Sequence, residues 1–373
     1  MYCTKCLTTD LRPNAKFING ICEPCIYGAQ PESTDFEARL DRLRLKINEL
    51  LADASETRQY DCIIGVSGGK DSTRQALWVR DHLQLKTLLV CCSYPPSQML
   101  NLGADNLANL MELGFDLEVI NPAPVSARLL SKEAFYRFGN VCKASEIALF
   151  TSVPEVAISK QIPLAFFGEN PALQEGDSST AGMDEFDANN LRHLNTLSEG
   201  GTDWINQKID ANRARSYQYP TVAQFEAANL NLMYLGPAWA DWDMSENAVY
   251  SVINGLCPRP FEEDSTGDLT NASMLDEEFT NINMMIKYYK FGFGRATDLY
   301  NELIRQGKAS RREAIKIVKK YDGVCSDRII EKYCEWISIS VAEFWDVVIS
   351  YTNDDLFDKS SIRPKPKFRV GCE

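Results

Sequence analysis

The sequence predicts an α/β protein: a doubly wound parallel sheet with an N-terminal zinc ribbon and a C-terminal helical region. Three observations support this fold class: apolar runs that alternate with helical stretches, two Cys-x-x-Cys pairs near the N-terminus, and helix-capping signals near the C-terminus. The chain of 373 residues exceeds one ordinary hydrophobic core. We therefore divide it into a zinc ribbon (1–30), a linker with an amphipathic helix (31–56), an α/β domain with an insertion (57–270) and a helical region with a basic tail (271–373).

Four cysteines open the chain in the spacing of a zinc ribbon. They are Cys3, Cys6, Cys22 and Cys25. Each Cys-x-x-Cys turn can direct two thiolates at one ion, and the Asn-Gly pair between the two turns favours a hairpin. A segment this short has too little core to fold unaided, so we expect a structural Zn²⁺ with these four ligands. Disulfides or a redox pair are the alternatives, and a reducing compartment disfavours the disulfides.

Strands and helices then alternate along the chain. Apolar residues at steps of three and four predict a helix with one apolar face: Phe36, Leu40, Leu43, Ile47 and Leu50. Alternating β and α units imply a parallel sheet with helices on both faces, whose ligands bind beyond the carboxyl ends of the strands. The units predicted after this helix are strand 60–66, helix 71–83, strand 87–92, helix 103–113, strand 116–120, helical stretch 144–160 and strand 163–168.

The most informative motif follows the first strand of this series. Residues 67–72 read Ser-Gly-Gly-Lys-Asp-Ser, directly after an apolar run and at the start of a predicted helix. Two glycines permit a sharp turn with consecutive N–H groups, and the partly positive end of the helix points into the same space. Lys70 adds a positive charge, and Asp71 either caps the helix or holds Mg²⁺ against phosphate oxygens. The loop therefore predicts a site for a nucleotide polyphosphate, the alternative being a turn whose glycines serve packing alone.

Polar residues also end two neighbouring strands. Ser93 and Tyr94 follow the second strand and would contact adenine or ribose, unless Tyr94 and the two prolines after it only form a rigid turn. Glu169 follows an apolar strand and would face the cleft, where it would steer ammonium, hold Mg²⁺ or accept a proton from an amine. A loop or helix-capping carboxylate is the alternative. The cofactor-binding residues that we predict are Ser67, Gly68, Gly69, Lys70, Asp71, Ser72, Ser93 and Tyr94, and the catalytic ones are Lys70, Asp71 and Glu169.

Three further features carry weaker signals. Cys142 precedes a predicted helix without a partner cysteine or a nearby histidine, which favours a packed thiol over a nucleophile. Residues 239–243, Trp-Ala-Asp-Trp-Asp, suit a packed aromatic corner and a sugar-binding surface equally well. The tail from Lys359 to Arg369 has no periodicity, which predicts disorder.

The C-terminal region combines capped helices with one candidate binding segment. Ser310 and Glu313 form a capping box that opens a helix over 311–320, which Gly323 ends. Residues 290–298, Lys-Phe-Gly-Phe-Gly-Arg-Ala-Thr-Asp, bring two cations, two glycines and an acid together and would bind a phosphate or a sugar nucleotide. The substrate-binding residues that we predict are Asn170, Lys290, Arg295 and Asp298.

At these positions the chain resembles a known superfamily and one family within it. Ser-Gly-Gly-Lys-Asp-Ser after a strand resembles the PP-loop of the ATP pyrophosphatases, which have a HUP-like fold and cleave ATP to AMP and pyrophosphate. The order of the motifs is similar to that of the N-acetyl sugar amidotransferases: the N-terminal cysteines, residues 66–72, Gly-Glu-Asn at 168–170, segment 290–298 and segment 311–323.

The resemblance implies a reaction and a partner. An acetamido group on a nucleotide-linked or related sugar would become an acetamidino group, in lipopolysaccharide O-antigen, surface-polysaccharide or flagellin-glycan biosynthesis. Transfer of AMP to the amide oxygen would create a leaving group that ammonia displaces, while loop 67–72 and Mg²⁺ neutralise pyrophosphate. A separate glutaminase subunit would supply the ammonia. The sequence has only two histidines, His82 and His193, and neither has the setting of a glutaminase active site.

Composition restricts the other functions. The net charge of −13 argues against a nucleic-acid partner, since such proteins usually present a basic face. No apolar run is long enough to span a membrane and the N-terminus lacks a signal-peptide core, so we expect no membrane partner and a cytoplasmic protein with reduced cysteines. The alternative functions are a PP-loop enzyme that thiolates or aminates a tRNA base and a non-catalytic ATP-binding subunit. The first predicts a basic surface and often a catalytic cysteine pair, and the second predicts no release of pyrophosphate.

Overall fold

A computed structural model describes most of the chain. The described residues are 1–29, 35–52, 58–169, 184–194, 196–197, 202–260 and 263–372. Within them, the predicted α/β fold class is confirmed, with a cluster of four cysteines at the N-terminus and helices at the C-terminus. No helix among them is both long and apolar enough to cross a membrane.

The N-terminal ribbon is a two-stranded hairpin followed by a short helix. Strand β1 (Phe17–Ile18) pairs antiparallel with β2 (Ile21–Cys22), and α1 (Glu23–Gly28) follows directly. The turn residues Asn19 and Gly20 have φ angles of 51° and 76°. A two-residue hairpin turn with positive φ at both positions strongly prefers Asn-Gly, so the predicted hairpin is confirmed.

Parallel strands form the central sheet. Those in the described residues are β3 (Cys62–Gly65), β4 (Thr87–Cys92), β5 (Asp116–Ile120), β6 (Leu164–Phe167) and β7 (Asn231–Tyr234). Their spatial order is β5-β4-β3-β6-β7, so β3 lies in the middle and the chain winds outward from it in both directions. β3 and β4 are almost continuously apolar because both of their faces are covered.

Helices occupy both faces of this sheet. They are α2 (Phe36–Ala52), α3 (Lys70–Trp78), which continues as a π-helical turn (Val79–Leu83), α4 (Asn101–Glu112), α5 (Pro124–Phe138) and α6 (Lys143–Lys160). Ile63 of β3 packs with α5 and α6, whereas Ile64 packs with α2, α3 and α4. Successive side chains of a strand point to opposite faces, so the sheet is doubly wound, as predicted.

Helix α5 is absent from the sequence prediction for a physical reason. Leu130 and Ala134 pack into the core of the sheet, while Phe135 packs into the core of the C-terminal helices, where its ring stacks 5.2 Å from that of Phe344. A helix that is buried on two sides has no single apolar face, so its periodicity is weak. α5 thereby joins the sheet to the C-terminal region.

Short helices precede and follow β7 along the chain. They are α7 (Asp203–Asn206), α8 (Ala211–Ala214), α9 (Val222–Ala227), α10 (Met244–Ile253) and α11 (Glu263–Thr266), with 3₁₀ turns at Asn189–His193, Arg215–Tyr217 and Gly236–Ala238. Helix α10 packs along α3, the helix that follows the glycine loop.

Helices and a small hairpin form the C-terminal region. They are α12 (Thr280–Phe291), α13 (Arg295–Arg305), α14 (Arg311–Tyr321), α15 (Asp327–Ile337), α16 (Val341–Tyr351), β8 (Phe357–Asp358) and β9 (Lys365–Pro366). The predicted capping box of Ser310 and Glu313 is confirmed. The disorder predicted for 359–369 is wrong, because β9 pairs with β8 and the ring of Phe368 packs 5.6 Å from that of Phe357.

The ribbon docks on α13 and α14, so the two ends of the chain meet. Leu7 is fully buried in a cluster that contains Ala296 of α13 and Ala314 of α14. Its N–H donates to Asn301 Oδ1 at 2.7 Å, and Arg311 Nε donates to a ribbon carbonyl at 3.1 Å. The ribbon is therefore held by a small apolar core and by hydrogen bonds to its backbone.

Leu7→Ala should lower the free energy of unfolding by about 2–5 kcal/mol, because it leaves a cavity between the ribbon and α14. Denaturant unfolding of the whole chain measures this change. Leu11→Ala removes the same atoms from a ribbon leucine that is 40% exposed, and it should cost less than about 0.5 kcal/mol. Equal effects of the two substitutions would contradict docking through Leu7.

Candidate functional site

The glycine loop joins β3 to α3 at the carboxyl edge of the sheet. Gly68 has a φ angle of 73°, and a Cβ there would lie 3.2 Å from the carbonyl oxygen of Gly103, so only glycine fits without strain. Ser72 Oγ donates to the carbonyl of Gly69 at 3.2 Å and braces the turn. The N–H groups of Gly68 and Gly69 make no hydrogen bond to another described residue. The loop therefore presents donors to an anion at the start of a helix.

A cavity of about 340 Å³ lies beyond this loop, and we call it the loop cavity. Its walls are the carboxyl ends of β3, β4 and β6, the adjoining parts of α3 and α6, and residues 272–274 of the C-terminal region. The N–H of Lys70 donates to the carbonyl of Ala272 at 3.3 Å, which attaches the C-terminal segment to the loop itself. The predicted residues that line this cavity are Ser67, Gly69, Lys70, Asp71, Ser72 and Glu169.

Lys70 and Asp71 are oriented by contacts with α10. Lys70 is 3% exposed and forms an ion pair with Asp71. Asp71 accepts a hydrogen bond from Asn247 Nδ2 at 2.7 Å, and Asn247 Oδ1 accepts one from Arg74 Nη1 at 2.7 Å. Arg74 is fixed in turn by an ion pair with Asp241 at 2.5 Å. These linked contacts hold the charged groups of the first turn of α3 in one arrangement.

A second cavity, of about 420 Å³, borders the loop cavity at Glu169, which lines both. We call it the ribbon cavity, and its other lining residues are Arg12, Pro13, Met244, Lys287, Phe291, Phe293, Asp298, Glu302 and Arg305. A Cβ on Gly168 would lie 2.3 Å from the ring of Trp242, so this strand end needs a glycine directly before Glu169. The site therefore has two compartments, with Glu169 at their junction.

Several predicted residues lie away from the loop cavity. Ser93 and Tyr94 line a neighbouring cavity of about 30 Å³, which shares Cys92 with the loop cavity. Lys290 is half-buried, and its ammonium donates to a backbone carbonyl of α5 at 2.9 Å. Asn170 lies outside the described residues. The roles assigned to these four residues stay predictions.

Segment 290–298 contains the end of α12, a turn at 292–294 and the start of α13. The N–H of Gly294 donates to Asp322 Oδ2 at 2.9 Å, and a Cβ there would lie 2.8 Å from Asp322 Oδ1. Burial raises the pKa of Asp322 to about 6. Asp298, one turn into α13, reaches the ribbon cavity, whereas Arg295 contacts a methionine sulfur at the wall of the loop cavity. Gly294 thus serves the turn, Asp298 lines the ribbon cavity, and Arg295 packs behind the wall of the loop cavity.

The ribbon contributes a cation that the sequence analysis did not single out. Arg12 forms an ion pair with Asp298, and Lys287 of α12 forms a second one at 2.7 Å. Both cations also lie over the ring of Phe293, at 4.7 Å and 4.6 Å from its centroid. Burial alone would raise the pKa of Asp298, but the two cations outweigh it and hold the pKa below its ordinary value. Two cations therefore share one ionised carboxylate.

Glu302 is a second residue that the sequence analysis missed. It is 4% exposed; its Oε1 accepts a hydrogen bond from the N–H of Met244 at 3.2 Å, and its Oε2 has no partner among the described residues. Burial, with the nearby carboxylates of Asp243 and Asp71, raises the pKa of Glu302 to about 7. A carboxyl with such a pKa inside a cavity is able to accept or donate a proton near neutral pH.

Burial distinguishes between the alternatives that the sequence left open for Cys142 and for segment 239–243. Cys142 is a packed thiol: its Sγ lies 3.6 Å from Thr280 Oγ1, and burial raises its pKa well above the ordinary value. Burial likewise raises the pKa of Cys92, in the wall of the loop cavity, to about 12. Trp239 is 4% exposed and stacks on Trp78 at 4.4 Å between ring centroids, so the Trp-Asp segment is a packed aromatic corner.

The N-terminal cysteines form a metal-binding cluster. All four are buried, and their sulfur atoms lie within 4.8 Å of one another. The N–H groups of Lys5, Thr8 and Cys22 donate to cluster sulfurs at 3.4 Å, which orients the thiolates. All twelve cysteines of the chain lie in its described part, and each is a free thiol rather than half of a disulfide. The donor set fits a closed, structural metal site.

Comparison with known proteins finds one related region. Residues 272–369 match a family model described as LPS biosynthesis protein WbpG-like, C-terminal domain. The match begins at the segment that closes the loop cavity and ends in the tail beside the ribbon. No curated protein matches the chain.

Solved structures resemble the chain weakly. One is the U34-tRNA thiolase NcsA from Methanococcus maripaludis with its 4Fe-4S cluster; it is 11% identical, with a TM-score of 0.29, and the match covers 81% of this chain and 88% of that one. Another is the NH3-dependent NAD synthetase from Campylobacter jejuni in complex with the nitrate ion; it is 13% identical, with a TM-score of 0.30, and the match covers 61% of this chain and 100% of that one. Scores this low carry no conclusion about function.

Glu302→Gln should make the stability of the chain less sensitive to pH. The raised pKa favours the neutral carboxyl in the folded state, so the stabilising effect is complete below the ordinary pKa of 4.5 and is lost as the pH rises through about 7. Relative to the wild type, the variant should therefore gain up to about 3 kcal/mol in free energy of unfolding between about pH 5 and pH 8. Denaturant unfolding at both pH values measures the gain. Glu112→Gln, at an exposed position of α4, is the control, and the same gain in both variants would contradict the assignment.

Cys22→Ser should remove the metal and unfold the ribbon, since the cluster supplies the stability that its small core lacks. Elemental analysis should find about one ion per wild-type chain and much less in the variant, which should also be cleaved faster in the ribbon by protease. Cys257→Ser changes an exposed cysteine outside the cluster and should keep the metal. A metal-free wild type with oxidised cluster cysteines would contradict the metal site.

Proposed function

We propose that this chain is an ATP-dependent, AMP-forming amidotransferase that replaces the acetamido oxygen of an N-acetyl sugar with nitrogen from ammonia. One observation carries the proposal: residues 272–274, at the start of the region similar to LPS-biosynthesis proteins, close the cavity that the glycine loop opens. A region related to polysaccharide biosynthesis and a phosphate-binding loop thus build one cavity. The resemblance of the motifs to N-acetyl sugar amidotransferases supplies the substrate class and the acetamidino product.

The loop cavity would bind ATP. The N–H groups of Gly68 and Gly69 and the hydroxyl of Ser67 would donate towards the phosphates, and Lys70 adds a positive charge. Since Lys70 is almost fully buried, water screens this charge little. Asp71 is the carboxylate that would hold Mg²⁺, and the bound ion would neutralise the charge of pyrophosphate.

The proposed reaction consists of two transfers. The acetamido oxygen forms a bond to the α-phosphorus of ATP while the bond between the α- and β-phosphates breaks, and pyrophosphate leaves. Ammonia then attacks the activated carbon, and AMP leaves with the former amide oxygen. One ammonia proton is lost and the product is an amidinium group. No electrons are gained or lost, so the reaction needs no redox partner.

Two carboxylates that line the ribbon cavity would accept this proton. Glu169 lines both compartments, and Glu302 lines the ribbon cavity with its raised pKa of about 7. Ammonia would come from a separate glutaminase subunit. The two histidines of the chain, His82 and His193, line neither cavity, which supports an external source.

The proposal also includes a structural Zn²⁺ in the cysteine cluster and a location in the reducing cytoplasm. Four buried thiolate ligands without an open position are typical of structural zinc. Twelve free cysteines are typical of a protein of the cytoplasm, where thiols stay reduced.

Modification of a tRNA base has less support. The chain carries a net charge of −13, whereas nucleic-acid enzymes usually present a basic face. Sulfur transfer through the protein also needs a reactive thiolate. Cys92 and Cys142, the described cysteines near the site, have pKa values that burial raises far from neutral pH.

With Mg²⁺, ATP and ammonium, the chain should release pyrophosphate only when an acetamido sugar is present. The screen would contain UDP- and CMP-linked acetamido sugars and bulk tRNA, and mass spectrometry should find oxygen replaced by NH in the sugar. Lys70→Ala should lower kcat/KM at least about 100-fold, because it removes a buried charge that faces the phosphates. Lys86→Ala, at an exposed position of the same domain, should leave it unchanged.

Two outcomes would overturn the proposal. Pyrophosphate release with tRNA and with no sugar would assign the chain to tRNA modification. ATP binding without release of pyrophosphate, whichever acceptor is added with or without a glutaminase, would make it a non-catalytic ATP-binding subunit.

A further inference from the structure

The ribbon cavity is unusual because a small metal-binding segment far away in the sequence forms part of it. Arg12 and Pro13 come from the ribbon, and Asp298 and Glu302 come from α13. Its volume of about 420 Å³ falls in the range of small-molecule sites, roughly 300–1,000 Å³. Glu169 connects it to the loop cavity.

We propose that the ribbon cavity binds the acceptor sugar and that Arg12 and Lys287 recognise an anionic group on it. The acetamido end of the sugar would then lie towards Glu169 and the loop cavity. This inference rests on the proposed function, since it identifies the compartment in which the acceptor of that reaction binds. The anionic group is a phosphate of a nucleotide carrier or a carboxylate on the sugar, and the two share the chemistry that a guanidinium and an ammonium recognise.

The charges around Arg12 and Lys287 favour the binding of an anion. Arg12 and Lys287 share a single carboxylate, that of Asp298, so the cluster keeps a positive charge. Their side chains are 20% and 24% exposed, which leaves both within reach of a ligand in the cavity. Contact with the ring of Phe293 and the ion pairs with Asp298 fix both cations in advance, so binding would cost little side-chain entropy.

Two carboxylates of the same cavity, Glu169 and Glu302, are groups that the reaction requires. Glu169 lies where the two cavities meet, and Glu302 has a carboxylate oxygen without a partner among the described residues. An acceptor whose anionic group lies at Arg12 would extend from the ribbon towards the phosphates of ATP. The carbonyl to be activated would then enter at the junction, next to Glu169.

This arrangement gives the ribbon a function beyond stability. The metal cluster fixes the fold of the segment that carries Arg12, and the burial of Leu7 holds that segment on α13 and α14. Loss of the metal should therefore weaken binding of the acceptor while ATP binding, which uses the other compartment, persists.

The test measures the affinity of three probes for the full chain by calorimetry, with a non-hydrolysable ATP analogue present. The probes are UDP-N-acetylglucosamine, which carries a diphosphate, N-acetylneuraminic acid, which carries a carboxylate, and neutral N-acetylglucosamine. Arg12→Gln and Lys287→Gln should each weaken binding of the preferred anionic probe about 10-fold or more, because each removes a charge-assisted contact. The anionic probe that binds more tightly identifies the source of the charge.

Matched controls remove a charge outside the cavity. Lys5→Gln changes an exposed ribbon residue and Lys319→Gln an exposed residue of α14, and both should bind the probes like the wild type. Metal content and thermal unfolding show whether Arg12→Gln has loosened the ribbon. Lys287→Gln lies on α12, outside the ribbon, so it tests the cavity independently of ribbon docking.

Equal affinity of an anionic probe for the wild type and both variants would overturn the inference, and so would a wild type that binds neither anionic probe. The affinity for the ATP analogue should be the same in all proteins. Pyrophosphate release with an acetamido sugar, unaffected by Arg12→Gln and Lys287→Gln, would refute this inference and keep the proposed function. Probe binding that depends on both cations in a protein that never releases pyrophosphate would refute the proposed function instead.

Discussion

Parallel pairing of β3 with β4 and β6 is the constraint on which the site depends. Residue 62 lies opposite residue 87 on one side and residue 164 on the other, so the three strands run side by side and end at one edge. The glycine loop, Cys92 and Glu169 are distant in sequence, yet they meet at this edge. Because β3 is central and buried on both faces, the loop that follows it opens between its two neighbours, as expected for ligand sites in such sheets.

The C-terminal region supplies the remaining walls of both cavities. Residues 272–274 close the loop cavity, and Asp322 accepts hydrogen bonds from the start of α13, which fixes the helix that carries Asp298 and Glu302. The same helix also holds the ribbon, because Asn301 accepts a hydrogen bond from the N–H of Leu7. The region that matches the family model is therefore the element that joins the two cavities to the metal cluster.

Local charge in the site differs from the charge of the whole chain. The protein is strongly acidic, but buried or partly buried cations occupy both compartments: Lys70 in the loop cavity, and Arg12 with Lys287 in the ribbon cavity. Each is held by a carboxylate, Asp71 or Asp298, which fixes its position and reduces its cost of burial. Cations that are fixed inside cavities of an acidic protein suit small anionic ligands better than an extended polyanion.

Several elements could be predicted because their signal is local. Hydrophobic periodicity, the Asn-Gly turn, the Cys-x-x-Cys pairs, the glycine loop and the Ser-Glu capping box each depend on neighbouring residues, so the α/β class, the cysteine cluster and the loop cavity were predictable. Long-range packing explains the features that were not predicted: α5 exists, the tail is ordered, and Arg12 and Glu302 line the ribbon cavity. Arg12 and Asp298 are 286 residues apart, and α5 packs into two cores at once. Such features depend on long-range packing, which no local pattern of residues encodes.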